Sequence, residues 1–239
     1  MWTRLHYGGD FSLCLPPPNH TALSLVFVQS VDRSTAGDPR TFGGGPTDTH
    51  LIYEGLTRVA ADAVLLGAGS LHADAFFSVW HPEFVAMRRS LGLARHPVQI
   101  VVSKKGPPDF GALLFNVPNV PVFLIAGQEA VVRHAKAFSA RPWIRHIALA
   151  DDNLQSAIDH LRVEERIHRI SAIGGRTTAS GLVDAGLAQD IYLTTTSSHR
   201  GEPGTPWYCG SGSPRLRVIT RKEWVESGSP VVFEHILID

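Results

Sequence analysis

Residues 170–178 read Ile-Ser-Ala-Ile-Gly-Gly-Arg-Thr-Thr, a short apolar run that leads into two glycines and then into hydroxyl residues. This order predicts a buried strand that passes directly into a helix. The glycines lack a Cβ atom, so the backbone can approach an anion closely. The amides of Arg176, Thr177 and Thr178 would point toward that anion, because the first amides of a helix have no intrahelical acceptor. Such a junction also arises where a turn only requires a positive φ, and for this segment alone both interpretations stay open.

Two further strands end in residues that donate hydrogen bonds. Residues 63–72 read Ala-Val-Leu-Leu-Gly-Ala-Gly-Ser-Leu-His, a buried strand that ends in small residues and the hydroxyl of Ser70. Residues 98–105 read Val-Gln-Ile-Val-Val-Ser-Lys-Lys, a strand that ends in a hydroxyl and two cations. Ligands of open α/β sheets bind at the carboxyl ends of the strands, where all three segments place their donors. The sequence therefore predicts a local phosphate site at that edge.

Length and composition indicate one α/β domain. The chain has 239 residues, of which 44% are hydrophobic and 18% charged, a balance typical of a globular protein with a full core. We assign residues 22–239 to a single domain and residues 1–21 to an N-terminal extension. Acidic and basic residues balance at 22 each, so no overall field attracts nucleic acid or an anionic membrane.

Residue spacing argues against several other classes of site. Cys14 and Cys209 are the only cysteines and lie far apart, which argues against a disulfide framework and a zinc site. His81-Pro82-Glu83 resembles the first half of a zinc-deaminase signature, but the P-C-x-x-C half is absent. We find neither a signal-peptide pattern nor the run of about 20 apolar residues that spans a membrane. We therefore predict a metal-free, cytoplasmic protein with two reduced thiols.

Apolar periodicity predicts alternating strands and helices. The predicted strands cover residues 22–29, 63–67, 98–103, 122–125, 147–149, 169–173, 191–196, 216–220 and 231–238. The predicted helices cover residues 48–61, 82–91, 128–138, 153–165 and a segment after the two glycines that stops at Gly186. We expect Asp48 or Thr47 to cap the first helix and Asp152 or Asn153 to cap a later one. Because no helix separates the last three strands, we predict an α/β fold with a mostly parallel central sheet, helices on both faces and antiparallel C-terminal strands.

Several of these segments together resemble a known family. Residues 67–74, Gly-Ala-Gly-Ser-Leu-His-Ala-Asp, the Gly174-Gly175 junction and residues 185–190, Ala-Gly-Leu-Ala-Gln-Asp, are similar to the reductase domain of the bifunctional riboflavin-biosynthesis deaminase/reductase. Ser30-Val31-Asp32 resembles that family's Ser-x-Asp after the first strand, and Gly44-Gly45-Pro46 resembles its Gly-Pro before the first helix. The resemblance implies a dihydrofolate reductase-like three-layer fold, hydride transfer from NADPH and a homodimer.

The resemblance also implies which residues bind the cofactor. The diglycine junction would receive the pyrophosphate, and the loop after the second strand would approach the ribose and phosphates. Ser103 and Lys104 would recognise the 2'-phosphate, since an ammonium group beside a hydroxyl gives charge-assisted donors to a dianion. The alternative for Lys104 is a solvated turn before Gly106-Pro107-Pro108. The cofactor residues predicted in this way are Gly67, Gly69, Ser70, Ser103, Lys104, Gly174, Gly175, Arg176, Thr177 and Thr178.

Three aspartates are candidates for catalysis. A C=N or C=O acceptor needs a proton source as well as an aligned nicotinamide. Asp32 and Asp48 lie where the first strand and the first helix would face the nicotinamide, and Asp74 matches the family's acid after the small-residue loop. The alternatives are that Asp32 shapes a turn with Arg33 and Ser34, and that Asp48 only caps a helix.

The chain also departs from the family pattern. Ile173 stands where the family usually has an acid, and Asp32-Arg33 stands where it has Asp-Gly. Residues 75–80, Ala-Phe-Phe-Ser-Val-Trp, lack the family's Pro and the Arg that helps to bind a sugar phosphate. The aromatic residues suggest a more apolar pocket for a planar substrate or, alternatively, core or dimer contacts. Two hypotheses follow: an NADPH-dependent reductase of a small pyrimidine, pterin or imine-type substrate, or a non-catalytic NADP(H)-binding relative.

Overall fold

The computed structural model describes residues 18–35, 44–72, 75–103, 110–149, 153–197, 201–226 and 228–239, without the side chains of residues 47 and 50–54. The strands of this part are β1 (Ala22–Gln29), β2 (Ala63–Gly67), β3 (Val98–Val102), β4 (Val122–Ala126), β5 (Ile144–Ala148), β6 (Arg169–Ile173), β7 (Asp190–Thr196), β8 (Leu216–Glu226) and β9 (Ser229–Ile238). They form one sheet in the order β5-β4-β3-β2-β6-β1-β7-β9-β8. The pairings of β1 to β7 with one another are parallel, whereas β9 pairs antiparallel with both β7 and β8. The predicted α/β fold with an antiparallel finish is confirmed.

The helices are α1 (Pro46–Asp48, which continues as π-helical turns over Thr49–Ala60), α2 (Pro82–Ser90), α3 (Gln128–Arg133), α4 (Ala135–Ser139), α5 (Leu154–Val163) and α6 (Arg176–Asp184). Within the described ranges, none of the helices has the length and apolar character needed to cross a membrane.

Helices cover both faces of the sheet because neighbouring side chains of a strand point to opposite sides. Leu65 belongs to the core cluster that includes α5 and α6, whereas Val64 and Leu66 belong to the cluster on the other face. Ser171 of β6 also points to that other face, where its hydroxyl lies 3.0 Å from the hydroxyl of Thr57 in α1. The sheet is therefore the middle of three layers.

Several boundaries differ from the predictions. The first helix begins at Pro46, whose fixed φ suits the first helical position, with Gly45 as the N-cap residue and no capping side chain. The prediction that Asp48 or Thr47 caps this helix was therefore wrong. For α5 the alternative Asn153 is confirmed, since its side chain accepts the amide hydrogen of Gln155 at 2.9 Å; Asp152 lies outside the described residues.

Other differences arise where side-chain patterns carry little information. The helix predicted over 128–138 is interrupted at His134, whose backbone leaves the helical region at φ −108° and ψ 19°. Strand β8 extends to residue 226 instead of 220, because its charged second half is held by backbone pairing with β9 and not by burial. Strand β5 begins three residues before the predicted strand, and of its five residues only Ile144 and Ile147 are buried.

The end of α1 is held by a buried cation that the sequence patterns did not reveal. Arg88 of α2 is 1% exposed. Its guanidinium donates to the carbonyl oxygens of Arg58, Val59 and Ala61 at 2.7–3.1 Å and to that of Ala94 at 2.6 Å. These bonds satisfy carbonyls that a helix end leaves without an intrahelical donor. Burial lowers the pKa of Arg88 to about 10, so it stays charged at neutral pH.

Candidate active site

The diglycine junction has the backbone conformation that only glycine adopts easily. Gly174 and Gly175 have φ angles of 65° and 80°. Helix α6 starts directly after them, and its first intrahelical bond runs from the amide of Ala179 to the carbonyl of Gly175, 2.9 Å away. The amides of residues 176–178 therefore precede the intrahelical ladder, as predicted.

The loop after β2 packs against this junction. Strand β2 lies beside β6, with Leu65 opposite Ala172, so their carboxyl ends are neighbours. A Cβ atom on Gly175 would lie 3.0 Å from Oγ of Ser70, and one on Gly67 would overlap the side chain of Thr178. The predicted residues Gly67, Ser70, Gly174, Gly175 and Thr178 thus come together at the carboxyl edge of the sheet.

The other predicted cofactor residues lie around this centre. Gly69 is exposed, and a Cβ atom there would meet no atom within 4 Å. Ser103 follows β3, whose Val102 is paired with Gly67 of β2, so it lies at the same edge. Thr177 is exposed. Lys104 lies outside the described residues, and its predicted role stays a prediction.

Segment 201–211 fastens the start of α6. Arg176 donates from Nε to the carbonyl of Pro206 at 2.7 Å, one turn before Ser180, whose hydroxyl accepts the amide hydrogen of Cys209 at 2.8 Å. At the other end of the segment, the amide of Thr35 donates to the carbonyl of Thr205 at 2.8 Å. The segment therefore links the turn after β1 to the helix that follows the two glycines.

A buried carboxyl group forms a second centre at this edge. Asp48, in the first turn of α1, is 8% exposed and accepts hydrogen bonds from the hydroxyl of Thr194 in β7 and from the amide of Gly44. A Cβ atom on Gly44 would overlap both Asp48 and Thr194, so glycine is required for this close approach. Burial raises the pKa of Asp48 to about 6 against the two hydrogen bonds that lower it, and the negative charge of Glu226 raises it further.

Asp32 has a different environment from Asp48. It is exposed and accepts hydrogen bonds from the hydroxyl of Ser30 and, at 3.2 Å, from the amide of Ser34. The Ser30 hydroxyl is the main cause of a lowered pKa for Asp32, and desolvation acts against it. The amide of Arg33 donates to the carbonyl of Ser30, which closes the turn. These bonds agree with the alternative that Asp32 shapes the turn after β1.

The remaining predictions divide between core and surface. Asp74 lies outside the described residues. Phe77 is 4% exposed in the core cluster of β2, β3 and β4, which agrees with the core alternative for that aromatic residue. Trp80 is 54% exposed and contacts His96 just before β3, at the opposite edge from the diglycine junction.

Sequence reasoning missed two members of the second centre. Thr194 opens a run of three threonines at the carboxyl end of β7, and hydroxyls at a strand end are a signal that could have identified it. Glu226 ends β8, and a Cβ atom on Gly45 would overlap its carboxylate. Its position depends on how β8 turns back along β9, which residue patterns do not reveal.

Comparison with known proteins supports this architecture. No curated protein sequence matches the chain significantly. A pyrimidine reductase-like protein from Corynebacterium diphtheriae is similar over 100% of this chain and 98% of its own, with 19% identity and a TM-score of 0.77. RibD from Acinetobacter baumannii is similar over 93% of this chain but 59% of its own, with 14% identity and a TM-score of 0.67. Dihydrofolate reductase from Schistosoma mansoni is similar over 92% of this chain and 100% of its own, with 16% identity and a TM-score of 0.50. These similarities confirm the dihydrofolate reductase-like fold.

The sequence itself matches a family model over most of its length. That model describes the RibD C-terminal domain and covers residues 22–233 of the chain. The match includes the diglycine junction, the loop after β2 and Asp48, and it agrees with the resemblance carried by the sequence motifs. The chain therefore belongs to the RibD C-terminal domain family.

Proposed function

We propose that the protein is an NADPH-dependent reductase that transfers hydride to a C=N or C=O carbon of a small heterocyclic substrate. The observation that carries the proposal is the convergence of Gly67, Ser70 and Thr178 on the Gly174-Gly175 junction. It brings the hydroxyls of Ser70 and Thr178 so close to the backbone of the two strand ends that added Cβ atoms on Gly67 and Gly175 would crowd them. Family membership supports the same activity, and the names of the similar structures include a pyrimidine reductase-like protein and a dihydrofolate reductase.

The residues present fit the diphosphate of a dinucleotide. An anion is stabilised by unpaired amides at a helix start, and α6 begins at that point with glycine on its N-terminal side. In the proposed complex the amides of Arg176, Thr177 and Thr178 hold the diphosphate, while Gly67, Gly69 and Ser70 lie along the ribose and phosphates. Ser103 and Lys104 hold the 2'-phosphate. When bound, NADPH would supply the hydride.

Asp48 is the catalytic acid that the described residues favour. A general acid works best when its pKa lies near the working pH, and burial raises that of Asp48 to about 6. Asp32 is exposed with a lowered pKa, so we assign it to the turn. Asp74 remains a candidate for lining the cleft.

Binding and turnover test the proposal separately. We expect calorimetry to show NADPH binding more tightly than NADH, and we expect a pyrimidine, pterin or imine compound to cause loss of NADPH absorbance. Replacing Lys104 by Ala should weaken NADPH more than NADH, whereas Lys136→Ala on the exposed surface of α4 should change neither. The assignment would be wrong if the protein did not bind NADPH. It would also be wrong if neither the replacement of Gly175 nor that of Lys104 weakened NADPH binding.

A second candidate is a non-catalytic NADP(H)-binding relative. Ile173 favours it, because an apolar residue stands where the family usually has an acid, and here it packs against the core cluster that contains Val64 and Leu66. In that case NADPH binds, Lys104→Ala weakens it, and no acceptor of any class is reduced.

The assembly and location are also proposed. We propose that residues 22–239 act as one domain, that the protein works in the cytoplasm and that it forms a homodimer. The outermost strand, β8, supports the dimer because it exposes large apolar side chains that a second copy would cover. These are Leu216, Val218, Ile219, Trp224 and Val225. Light scattering should give twice the chain mass of 26.0 kDa.

A further inference from the structure

Gln29, the last residue of β1, carries an amide group that is buried but only partly hydrogen bonded. The residue is 7% exposed, and its Nε2 atom donates to the hydroxyl of Thr195 in β7 at 2.9 Å. Within the described part of the chain, this is the one hydrogen bond that the side-chain amide makes. A primary amide offers a second N–H donor and a carbonyl acceptor. Because buried polar groups are normally hydrogen bonded, this free half of the amide is available to a bound group.

The free half of the Gln29 amide remains accessible. Among the described residues, the fully enclosed side-chain atoms without a hydrogen-bond partner do not include Oε1 of Gln29. This oxygen therefore keeps some accessible surface, although the side chain as a whole is buried. Thr195, which accepts the bond from Nε2, is partly exposed and lies next to the end of β7. The pair therefore borders the space at the carboxyl edge of the sheet, where the candidate site lies.

Strand β1 lies between the two ends of the candidate site. The strand order is β6-β1-β7; the Gly174-Gly175 junction follows β6, and Thr194, which binds Asp48, belongs to β7. Because neighbouring strands are about 4.8 Å apart, the two ends are separated by about 10 Å, with the end of β1 between them. A cofactor whose diphosphate lies at the two glycines, and whose hydride goes to an acceptor beside Asp48, must therefore pass the end of β1.

Gln29 lies on the face of the sheet that carries α6. Phe27, two residues earlier in β1, belongs to the core cluster that contains residues of α6, and alternate residues of a strand share a face. Thr194, which binds Asp48, is the neighbour of Thr195 in β7 and therefore points to the other face. The amide is thus on the side of the helix start proposed for the diphosphate, whereas the acid is on the opposite side.

We propose that Gln29 is a specificity-determining residue that binds the carboxamide of the nicotinamide ring. A carboxamide presents one carbonyl and one NH₂ group, and the free N–H and carbonyl of Gln29 are complementary to them. This inference rests on the proposed function and deepens it by assigning the recognition of the cofactor's ring to a side chain. A lactam in a pyrimidine substrate presents the same pair of groups. The position of Gln29 favours the cofactor, because the proposed acid Asp48 lies on the other face of the sheet.

The first measurement uses the wild-type full chain and requires no turnover. Amide NMR detects the side-chain NH₂ group of Gln29, assigned through its bonds to the backbone of the same residue. Its signals should shift when NADP⁺ is added to saturation. They should stay unchanged with 2'-phospho-ADP-ribose, which has the same phosphates and riboses but lacks the nicotinamide ring.

The second measurement is calorimetry on Gln29→Leu, which keeps the approximate volume and removes the amide. NADPH should bind about ten-fold more weakly than to the wild type. The loss should be smaller for the acetylpyridine analogue of NADPH, in which a methyl group replaces the NH₂ group. The affinity for 2'-phospho-ADP-ribose should be unchanged. Gln155→Leu is the matched control: the Gln155 amide donates to Asp159 of the same helix at 3.0 Å, so all three ligands should bind as in the wild type.

The outcomes separate this inference from the function on which it rests. If the wild type binds NADP⁺ and the Gln29 signals do not shift, or if Gln29→Leu weakens NADPH and 2'-phospho-ADP-ribose equally, the inference is overturned and the reductase proposal is unaffected. Gln29 signals that respond only to a pyrimidine acceptor, with unchanged NADPH binding in Gln29→Leu, would assign the amide to the substrate and also overturn it. If the NMR and calorimetric results are as expected but no acceptor is reduced, the inference holds and the reductase proposal fails. A protein that does not bind NADPH refutes both.

Discussion

The end of the candidate site at β2 and β6 is built from main chain, whereas the end at β7 and β8 is built from buried side chains. At the first end, Gly67 and Gly175 lie too close to the side chains of Thr178 and Ser70 for a Cβ atom, and the amides of residues 176–178 precede the intrahelical ladder of α6. At the second end, Asp48 and Thr194 meet although 146 positions separate them. In the function proposed above, the first end binds an anion. The second end holds a carboxyl group whose pKa is raised to about 6 by burial.

Replacing the buried acid Asp48 should give the largest effect. The effect should be confined to kcat and should leave cofactor binding unchanged. In Asp48→Asn the amide cannot transfer a carboxyl proton, so we expect kcat to fall by about 100-fold or more. NADPH affinity should stay unchanged, because the diglycine junction is untouched. Steady-state kinetics and calorimetry on the same protein check both statements.

The matched control is the other aspartate at this edge. Asp32→Asn keeps an acceptor for the Ser30 hydroxyl and the Ser34 amide, so kcat should change little. A larger loss of kcat in Asp32→Asn than in Asp48→Asn would reverse our assignment of the acid.

Stability should also depend on pH through Asp48. Its pKa is about 6 in the folded protein and 3.8 as the ordinary value, so the folded state binds the proton more tightly. The contribution of Asp48 to the free energy of unfolding is therefore fully present below about pH 4 and is lost as the pH rises to about 6. The difference corresponds to about 3 kcal/mol as an upper limit.

Asp48→Asn should lack this pH dependence. Urea unfolding at pH values from 4 to 8 gives the free energy of unfolding of both proteins as a function of pH. As the pH rises to about 6, the wild type should lose free energy of unfolding relative to Asp48→Asn, and above that pH the difference between the two proteins should stay constant. Parallel curves would show that Asp48 is not buried as a neutral acid.

Much of the fold could be predicted because local patterns decide it. The central strands β2 and β6 are mostly buried runs of apolar residues, and both begin and end at the predicted limits. The antiparallel finish follows from the absence of a helix after β7. The second half of β8 could not be predicted, since Arg221, Lys222 and Glu223 belong to an edge strand that is held by backbone pairing and not by an apolar burial pattern.

The two ends of the site differ in the same way. The Gly174-Gly175 junction could be predicted because the glycines that set its conformation are adjacent to the strand and helix they join. The Asp48 centre could be predicted only in part. Its acid lies in a recognisable helix start, but Thr194 and Glu226 reach it through strand order and a hairpin, and neither is a local property of the chain.

A methyl group at the main-chain end should weaken cofactor binding. In Gly175→Ala the residue must adopt φ near 80°, which costs an L residue about 1–2 kcal/mol, and its Cβ would lie 3.0 Å from Oγ of Ser70. If the junction relaxes to relieve this strain, NADPH affinity should fall by about ten-fold. Calorimetry measures the loss, and kcat at saturating NADPH should be nearly unchanged.

Gly92→Ala, just after α2, is the control for this prediction. Gly92 also has a positive φ, 73°, and an added Cβ atom there meets nothing within 4 Å, so the backbone is strained but NADPH should bind as in the wild type. Equal losses of NADPH affinity in the two variants would mean that backbone strain elsewhere in the chain also disturbs binding, and that the conformation of the diglycine junction is not the cause.

The smallest expected effect concerns the turn after β1, where the backbone is strained as at the main-chain end but carries a side chain. Arg33 has a φ of 66° and stands where the family resemblance places glycine. Arg33→Gly should remove a cost of about 1 kcal/mol, partly offset by the greater freedom of glycine in the unfolded chain, so that the protein gains about 0.5 kcal/mol. Arg33→Ala retains the Cβ atom and should gain nothing, which separates backbone strain from loss of the exposed guanidinium. The stabilities of the three proteins are compared from their urea unfolding midpoints, on the condition that the dependence of the free energy of unfolding on urea concentration is the same for all three. A glycine variant no more stable than the alanine variant would show that the hydrogen bonds of Asp32 hold this turn without strain.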